Sequence, residues 1–188
     1  MSEDYVPETI RAAEQSPRRL KYLLTIGHNP NECDGRGKTP LRQAVVYNRP
    51  VCVQLLLNRG ADAWYSDRFM GGLLAYVDRA DIAALLISKL APMTIKNRSG
   101  RGPLFYQLDR RRVLELLLEN EADPDQQANN GMTPLMIACR DGKLQAVKIL
   151  DRRGASWDIR NRWGKTALDY AGATVLKWYR WHYGNCSP

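Results

Sequence analysis

The side chains best equipped for chemistry in this 188-residue chain are arginines and tryptophans, and the chemistry they suit is recognition. A guanidinium presents a planar fork of donors to a carboxylate or a phosphate. Tryptophan contributes a large contact surface of the kind that dominates binding energy at interfaces. Basic residues number 28 against 20 acidic ones, a net charge of +8, and 20 of the 28 are arginine. The stretch from Arg140 to Pro188 holds ten basic and four acidic residues, so +6 of the charge is concentrated there. Within it the two types interleave, as Trp157, Arg160, Arg162, Trp163 and Lys165, and again as Lys177, Trp178, Tyr179, Arg180 and Trp181. A basic surface speeds association with acidic partners. The same interleaving also suits stacking on bases and pairing with phosphates.

Catalysis has little to work with. His28 and His182 are the histidines, the side chains that titrate near neutrality, and neither has a nucleophile at a recognised spacing. Gly71-Gly72 and Gly35-Arg36-Gly37 lack the strand-to-helix setting and the lysine with serine or threonine of a phosphate loop. Cys33, Cys52, Cys139 and Cys186 are far apart and have no zinc-finger spacing, so they read as reduced thiols, mostly small core residues. No catalytic residue, metal ligand or cofactor is expected.

The elements that must position these side chains follow from a recurring phrase. Gly37-Lys38-Thr39-Pro40-Leu41 returns as Gly100-Arg101-Gly102-Pro103-Leu104, Gly131-Met132-Thr133-Pro134-Leu135 and Gly164-Lys165-Thr166-Ala167-Leu168, with a degraded copy near Gly71-Gly72-Leu73. The leucines at 41, 73, 104, 135 and 168 step by 32, 31, 31 and 33 residues. A period near 33 marks stacked helical units. Each phrase precedes an apolar run at helical spacing, such as Val53 with Leu56 and Leu57, or Val113 with Leu116 and Leu117. Thr39 and Thr133 can cap a helix that begins with the following proline, and glycines such as Gly60 and Gly154 can end one.

This pattern resembles the ankyrin repeat. The residues that carry the resemblance are Asp34-Gly35-Arg36-Gly37-Lys38-Thr39-Pro40-Leu41 with Ala44, Val53 to Leu57 and Asn58-Arg59-Gly60-Ala61-Asp62. The best copy is Asn130-Gly131-Met132-Thr133-Pro134-Leu135 with Ala138, Gly142, Val147, Leu150, Gly154 and Ala155. The resemblance spans roughly residues 5 to 175 and implies an all-α, ankyrin-type helix–turn–helix solenoid with hairpin loops. It divides one domain, 1–188, into units near 4–33, 34–66, 67–96, 97–128, 129–160 and 161–188, with the outer two as caps. In the first unit Pro7 to Glu14 is expected as a helix, followed by a second opened by Ser16-Pro17.

The departures are informative. The family usually carries histidine after the phrase leucine, and this chain has Arg42, Phe105, Met136 and Asp169 there, so the hydrogen bonding between hairpin and helix is lost or replaced. The distance from the phrase leucine to the next apolar run is 12 residues from Leu41 and Leu135, but 9 from Leu73 and Leu104. Three residues is nearly a helical turn, so these units have either a clipped first helix or a shortened turn between helices.

The resemblance implies that partners dock on the hairpin tips and the inner surface of the short helices. That gives a partner-binding set of Arg36, Lys38, Tyr47, Trp64, Arg68, Arg98, Arg101, Met132, Arg140, Arg160, Arg162 and Trp163. Trp157 takes the apolar slot after Gly154-Ala155 and is expected to pack inward. Trp64 and Trp163 either pack on a neighbouring hairpin or face a partner, and Trp178 and Trp181 either fold back over the last layer or form a contact patch. The expected function is a non-enzymatic protein-binding module, an adaptor or inhibitor, that engages a partly acidic protein. The alternative is an RNA or phosphorylated ligand held by the C-terminal units. Ankyrin-like chains of this size include host-interacting viral and bacterial proteins. With no long apolar run and no hydrophobic leader in Met1-Ser2-Glu3-Asp4-Tyr5, the chain is expected in a cytoplasm, its own cell's or a host's, and a nuclear location is compatible too. The sequence specifies no oligomeric state.

Overall fold

The computed structural model describes residues 6–67 and 69–184. Its helices are α1 (Glu8–Gln15), α2 (Pro17–Thr25), α3 (Pro40–Val46), α4 (Pro50–Asn58), α5 (Ala80–Ser88), α6 (Arg111–Glu119), α7 (Pro134–Arg140), α8 (Leu144–Arg152), α9 (Ala167–Tyr170) and α10 (Ala173–Tyr183). Two 3-10 turns, Leu73–Ala75 and Pro103–Tyr106, precede α5 and α6. The two-residue strands β1 (Ser66–Asp67) and β2 (Gly71–Gly72) pair with each other. The result is the all-α helical solenoid with hairpin loops that the resemblance implied.

The chain forms two compact units, a first that ends at Pro92 and a second that begins at Met93 and also takes the turn at 69–71. In the first unit α1 packs on α2 and α3, α4 on α2 and α3, and α5 on α4. Leu20, Leu23, Leu41, Val53, Leu56, Ile82 and Leu86 fill its core and are essentially inaccessible to water. In the second unit α7 packs on α8 and α9, and α8 on α6 and α10. Leu114, Leu117, Leu135, Ala138, Val147 and Leu150 are its core. Each buried leucine contributes about 2 kcal/mol through apolar area removed from water, so the repeated i, i+3, i+4 pattern, more than helix propensity, holds these short helices in place.

Local signals set the boundaries. Thr39 and Thr133 accept hydrogen bonds from the amides of Arg42 and Met136 (both 3.2 Å), with proline at the first helical position of α3 and α7. Ser16 does the same for α2. Thr166 and Asp169 form a reciprocal capping box that lets α9 exist in four residues. At the other end, Gly60 and Gly154 follow α4 and α8 with φ of 79° and 82°. After α5 and α6 the same left-handed position is taken by Leu90 (φ 58°) and Glu121 (φ 67°).

The shortened spacing after Leu73 and Leu104 comes out of the first helix. A 3-10 turn of three or four residues stands where α3 and α7 each have seven. A 3-10 turn rises faster per residue than an α-helix, which recovers part of the lost length.

Candidate functional site

The hairpin turns are built alike. In the second unit the turns at 97–101, 128–132 and 161–165 are each closed by two backbone bonds, Asn97 N–H to Arg101 O with Gly100 N–H to Asn97 O, and their equivalents. Asn97 Oδ1 accepts from the amides of Ser99 (2.9 Å) and Arg101 (3.0 Å), and Asn161 Oδ1 from those of Trp163 (2.9 Å) and Lys165 (3.1 Å). Asp34 does the same for Arg36 and Lys38 in the first unit, both at 2.9 Å. Successive turns of the second unit are then tied together: Asn129 N–H donates to Ser99 O at 2.9 Å and Arg162 N–H to Asn130 O at 3.1 Å. Gly131 is obligatory in this arrangement, because at φ 77° an added Cβ would lie 2.9 Å from Asn161 Cα and 3.0 Å from Arg162 N.

In three of the repeats a tyrosine ties the hairpin to the segment that follows the phrase leucine. Asn97 Nδ2 donates to Tyr106 Oη and Asn161 Nδ2 to Tyr170 Oη, each at 2.7 Å and each across nine residues. Across the same nine residues in the first unit, the Tyr76 hydroxyl donates to the Asp67 carboxylate. Arg42, which stands in the histidine position, joins that pair. Its guanidinium reaches Asp67 at 3.4 Å and Tyr76 Oη at 3.3 Å and covers the Tyr76 ring at 4.7 Å. Burial, and then the bond to Asp67, pushes the Tyr76 phenol up to about 12.

These ties fix a hollow of about 440 Å³ in the second unit, lined by Asn130, Met132, Arg140, Trp163, Lys165 and Tyr170. Trp163 is 63% exposed and forms one wall. Lys165 Nζ lies 5.6 Å from the centre of the Tyr170 ring. Arg140 pairs with Asp141 at 2.8 Å, and that bond, aided by Lys143 and Arg101, holds the Asp141 carboxyl below its usual range. Among the described residues Arg98, Arg101, Arg160, Arg162 and Lys165 make no ion pair, although Arg160 and Lys165 act at longer range on the Asp169 carboxyl as Arg101 does on Asp141. A hollow with an aromatic wall and cations at its edge can hold a carboxylate or phosphate attached to an apolar stem.

The expected binding residues fall into groups. Arg98, Arg160 and Arg162 are exposed on the turns, and Arg101 is half-buried beside them. Arg140 and Trp163 come together in the hollow. Met132 is largely buried at 3% exposure, its sulfur accepts from Asn161 Nδ2 at 3.2 Å, and it lines the hollow as its floor. In the first unit Arg36 is exposed, Lys38 half-buried, Tyr47 50% exposed and Trp64 61% exposed. Arg68 lies outside the described residues, as does Cys186. Cys52 and Cys139 are buried as expected, whereas Cys33 is exposed. Trp157 packs inward, donating to Asp151 Oδ1 at 2.7 Å. Trp178 folds back against it at 6.3 Å, while Trp181 is 69% exposed. Tyr170 was missed, although the constant nine-residue spacing of 67/76, 97/106 and 161/170 is visible in the sequence.

Among the described residues no cluster of three metal-ligating side chains occurs, and no helix is long and apolar enough to cross a membrane. His28 is exposed in its loop, and His182 stacks on Trp178 at 5.2 Å.

Comparison with known proteins matches residues 36–68 to the family model "Ankyrin repeat" and residues 117–171 to "Ankyrin repeats (many copies)". The chain is 31% identical to the ankyrin repeat protein YahD of Escherichia coli strain K12 over 166 residues, covering 81% of this chain and 82% of that one. It is 34% identical over 93 residues to the human cyclin-dependent kinase inhibitor 2A, covering 48% of this chain and 59% of the inhibitor. It spans 36% of the length of the mouse B-cell lymphoma 3 protein homolog. The crystal structure of the ankyrin repeat domain of Bcl-3, of the IkappaB protein family, superposes with a TM-score of 0.78 at 25% identity, over 92% of this chain and 81% of that one. Period, caps, hairpin ties and these matches agree: the chain belongs to the ankyrin repeat family.

Proposed function

We propose that this chain is a non-enzymatic protein-binding module, an adaptor or inhibitor, that engages a partly acidic partner through its hairpin tips and short first helices. Relatives support binding as the role, the kinase inhibitor by its own name. The observation that carries the reading is the hollow beside Trp163. It pairs a 63% exposed tryptophan with Lys165 and with Arg140, which Asp141 holds in place, and the exposed Arg160 and Arg162 flanking it make no ion pair among the described residues. An exposed aromatic of this size is costly to leave in water and is the residue type that anchors interfaces. The unpaired arginines steer an acidic surface toward it and fix its register. Because hydrogen bonds lock the turns in the free chain, little ordering is lost on binding.

The test is a triple variant, Arg160→Glu, Arg162→Glu and Trp163→Ala, compared with the unaltered chain in affinity purification and mass spectrometry. All three side chains are exposed, so the helical circular-dichroism signal should persist. Partners captured by the unaltered chain should be lost by the variant. Capture of the same proteins in the same amounts would show that this face is not used.

A further inference from the structure

A second hollow in the second unit shares no residue with the first and has a different chemistry. It measures about 380 Å³ and is lined by Arg111, Gln145, Lys148, Asp151, Arg152, Trp178 and His182, from α6, α8 and α10. One wall is aromatic and held in place. Trp178 and His182 stack at 5.2 Å with planes 16° apart, Trp178 packs on Trp157, and Tyr179 packs on both Trp157 and Tyr183. Asp151 anchors this wall, accepting from Trp157 Nε1 at 2.7 Å and from the Tyr183 hydroxyl at 2.5 Å. The other wall is cationic. Arg111 pairs with Glu115 at 3.0 Å, while Lys148 and Arg152 have no carboxylate within ion-pair distance among the described residues. Exposed Lys177 and Arg180 follow on α10, and Trp181 beside them is 69% exposed.

An exposed end of a repeat stack is ordinarily polar. Here it carries a braced aromatic wall facing three cations, two of them without an ion-pair partner among the described residues, and that combination matches one ligand chemistry: a flat ring joined to an anion. We infer that this hollow seats one nucleotide of a single-stranded RNA, with the phosphate between Arg111, Lys148 and Arg152 and the base against His182. Stacking on a ring tolerates any base, and charge supplies the affinity, so the site reads backbone and not sequence. A carboxylate-bearing peptide would satisfy the cations and leave the aromatic wall without a partner.

The experiment uses the full chain and fluorescein-labelled oligouridine of about twelve nucleotides, read by anisotropy. One phosphate held in the hollow predicts a log–log salt slope of about −0.7, so affinity should fall roughly two- to threefold between about 50 and 200 mM salt. Lys148→Glu with Arg152→Glu should abolish binding, and His182→Ala should weaken it on the order of tenfold through loss of stacking. Trp163→Ala with Arg162→Glu, in the other hollow, should leave it unchanged. The inference is overturned by absence of binding at about 50 mM salt, by binding that survives the Lys148/Arg152 reversal, or by equal competition from polyglutamate, which would assign the hollow to acidic proteins instead.

Discussion

Asn161 is 6% exposed and serves four partners: the amides of Trp163 and Lys165, the Tyr170 hydroxyl and the Met132 sulfur. It is the residue on which the Trp163 turn depends. Tyr170→Phe removes the hydroxyl and should cost about 1 kcal/mol. Asn161→Ala strips the turn as well and should cost more, about 2–3 kcal/mol, both read from urea midpoints. Tyr183 gives a pH prediction. Its hydrogen bond to Asp151 pushes the phenol up to about 12 from an ordinary 10. A raised phenol stabilises the fold fully below pH 10 and loses that contribution as pH rises through about 12. Alkaline titration followed by tryptophan fluorescence should therefore show the α10 aromatics loosening in that interval, and Tyr183→Phe should flatten the transition. Much at this scale was legible in the sequence. Arginine and tryptophan types marked the turns, and Trp157 was placed inward from its slot. The burial of Met132 was not legible, because a turn position can face the core when the next turn covers it, here through the backbone tie from Arg162 to Asn130. Tyr170 was missed because a partner nine residues away follows neither helical nor strand spacing.

At the scale of elements, the helix stops separate glycine from its substitutes. Leu90 holds φ 58° and is 78% exposed, so it has the strain of a left-handed side-chain residue with no burial in return. Leu90→Gly should stabilise the chain by about 1 kcal/mol, seen as a higher melting temperature. Thr133→Ala should cost about 1 kcal/mol by freeing the Met136 amide at the start of α7. The longer helices were legible from apolar period, caps and stops. The clipped first helices were legible only as a deficit of three residues, because spacing counts residues and cannot say which element gives them up. The packing decides: Leu73 and Leu104 must still reach the core, and a 3-10 turn delivers them, at 1% and 2% exposure.

At the scale of the molecule, charge and period together define the account. Helix pairs bury leucines in each compact unit, and hairpin ties leave arginine and tryptophan outside. Removing Trp163 from an anchoring position should weaken a partner on the order of thirtyfold, about 2 kcal/mol. The most direct test of the Trp163 hollow is site-specific photo-crosslinking in cells of the chain's origin. A benzophenone amino acid would replace Trp163 in one preparation and Val51, exposed on α4, in another. A discrete protein adduct is expected from position 163, lost with Arg160→Glu and Arg162→Glu, and none from position 51. An adduct from position 51 with silence at 163 would contradict docking at the Trp163 hollow.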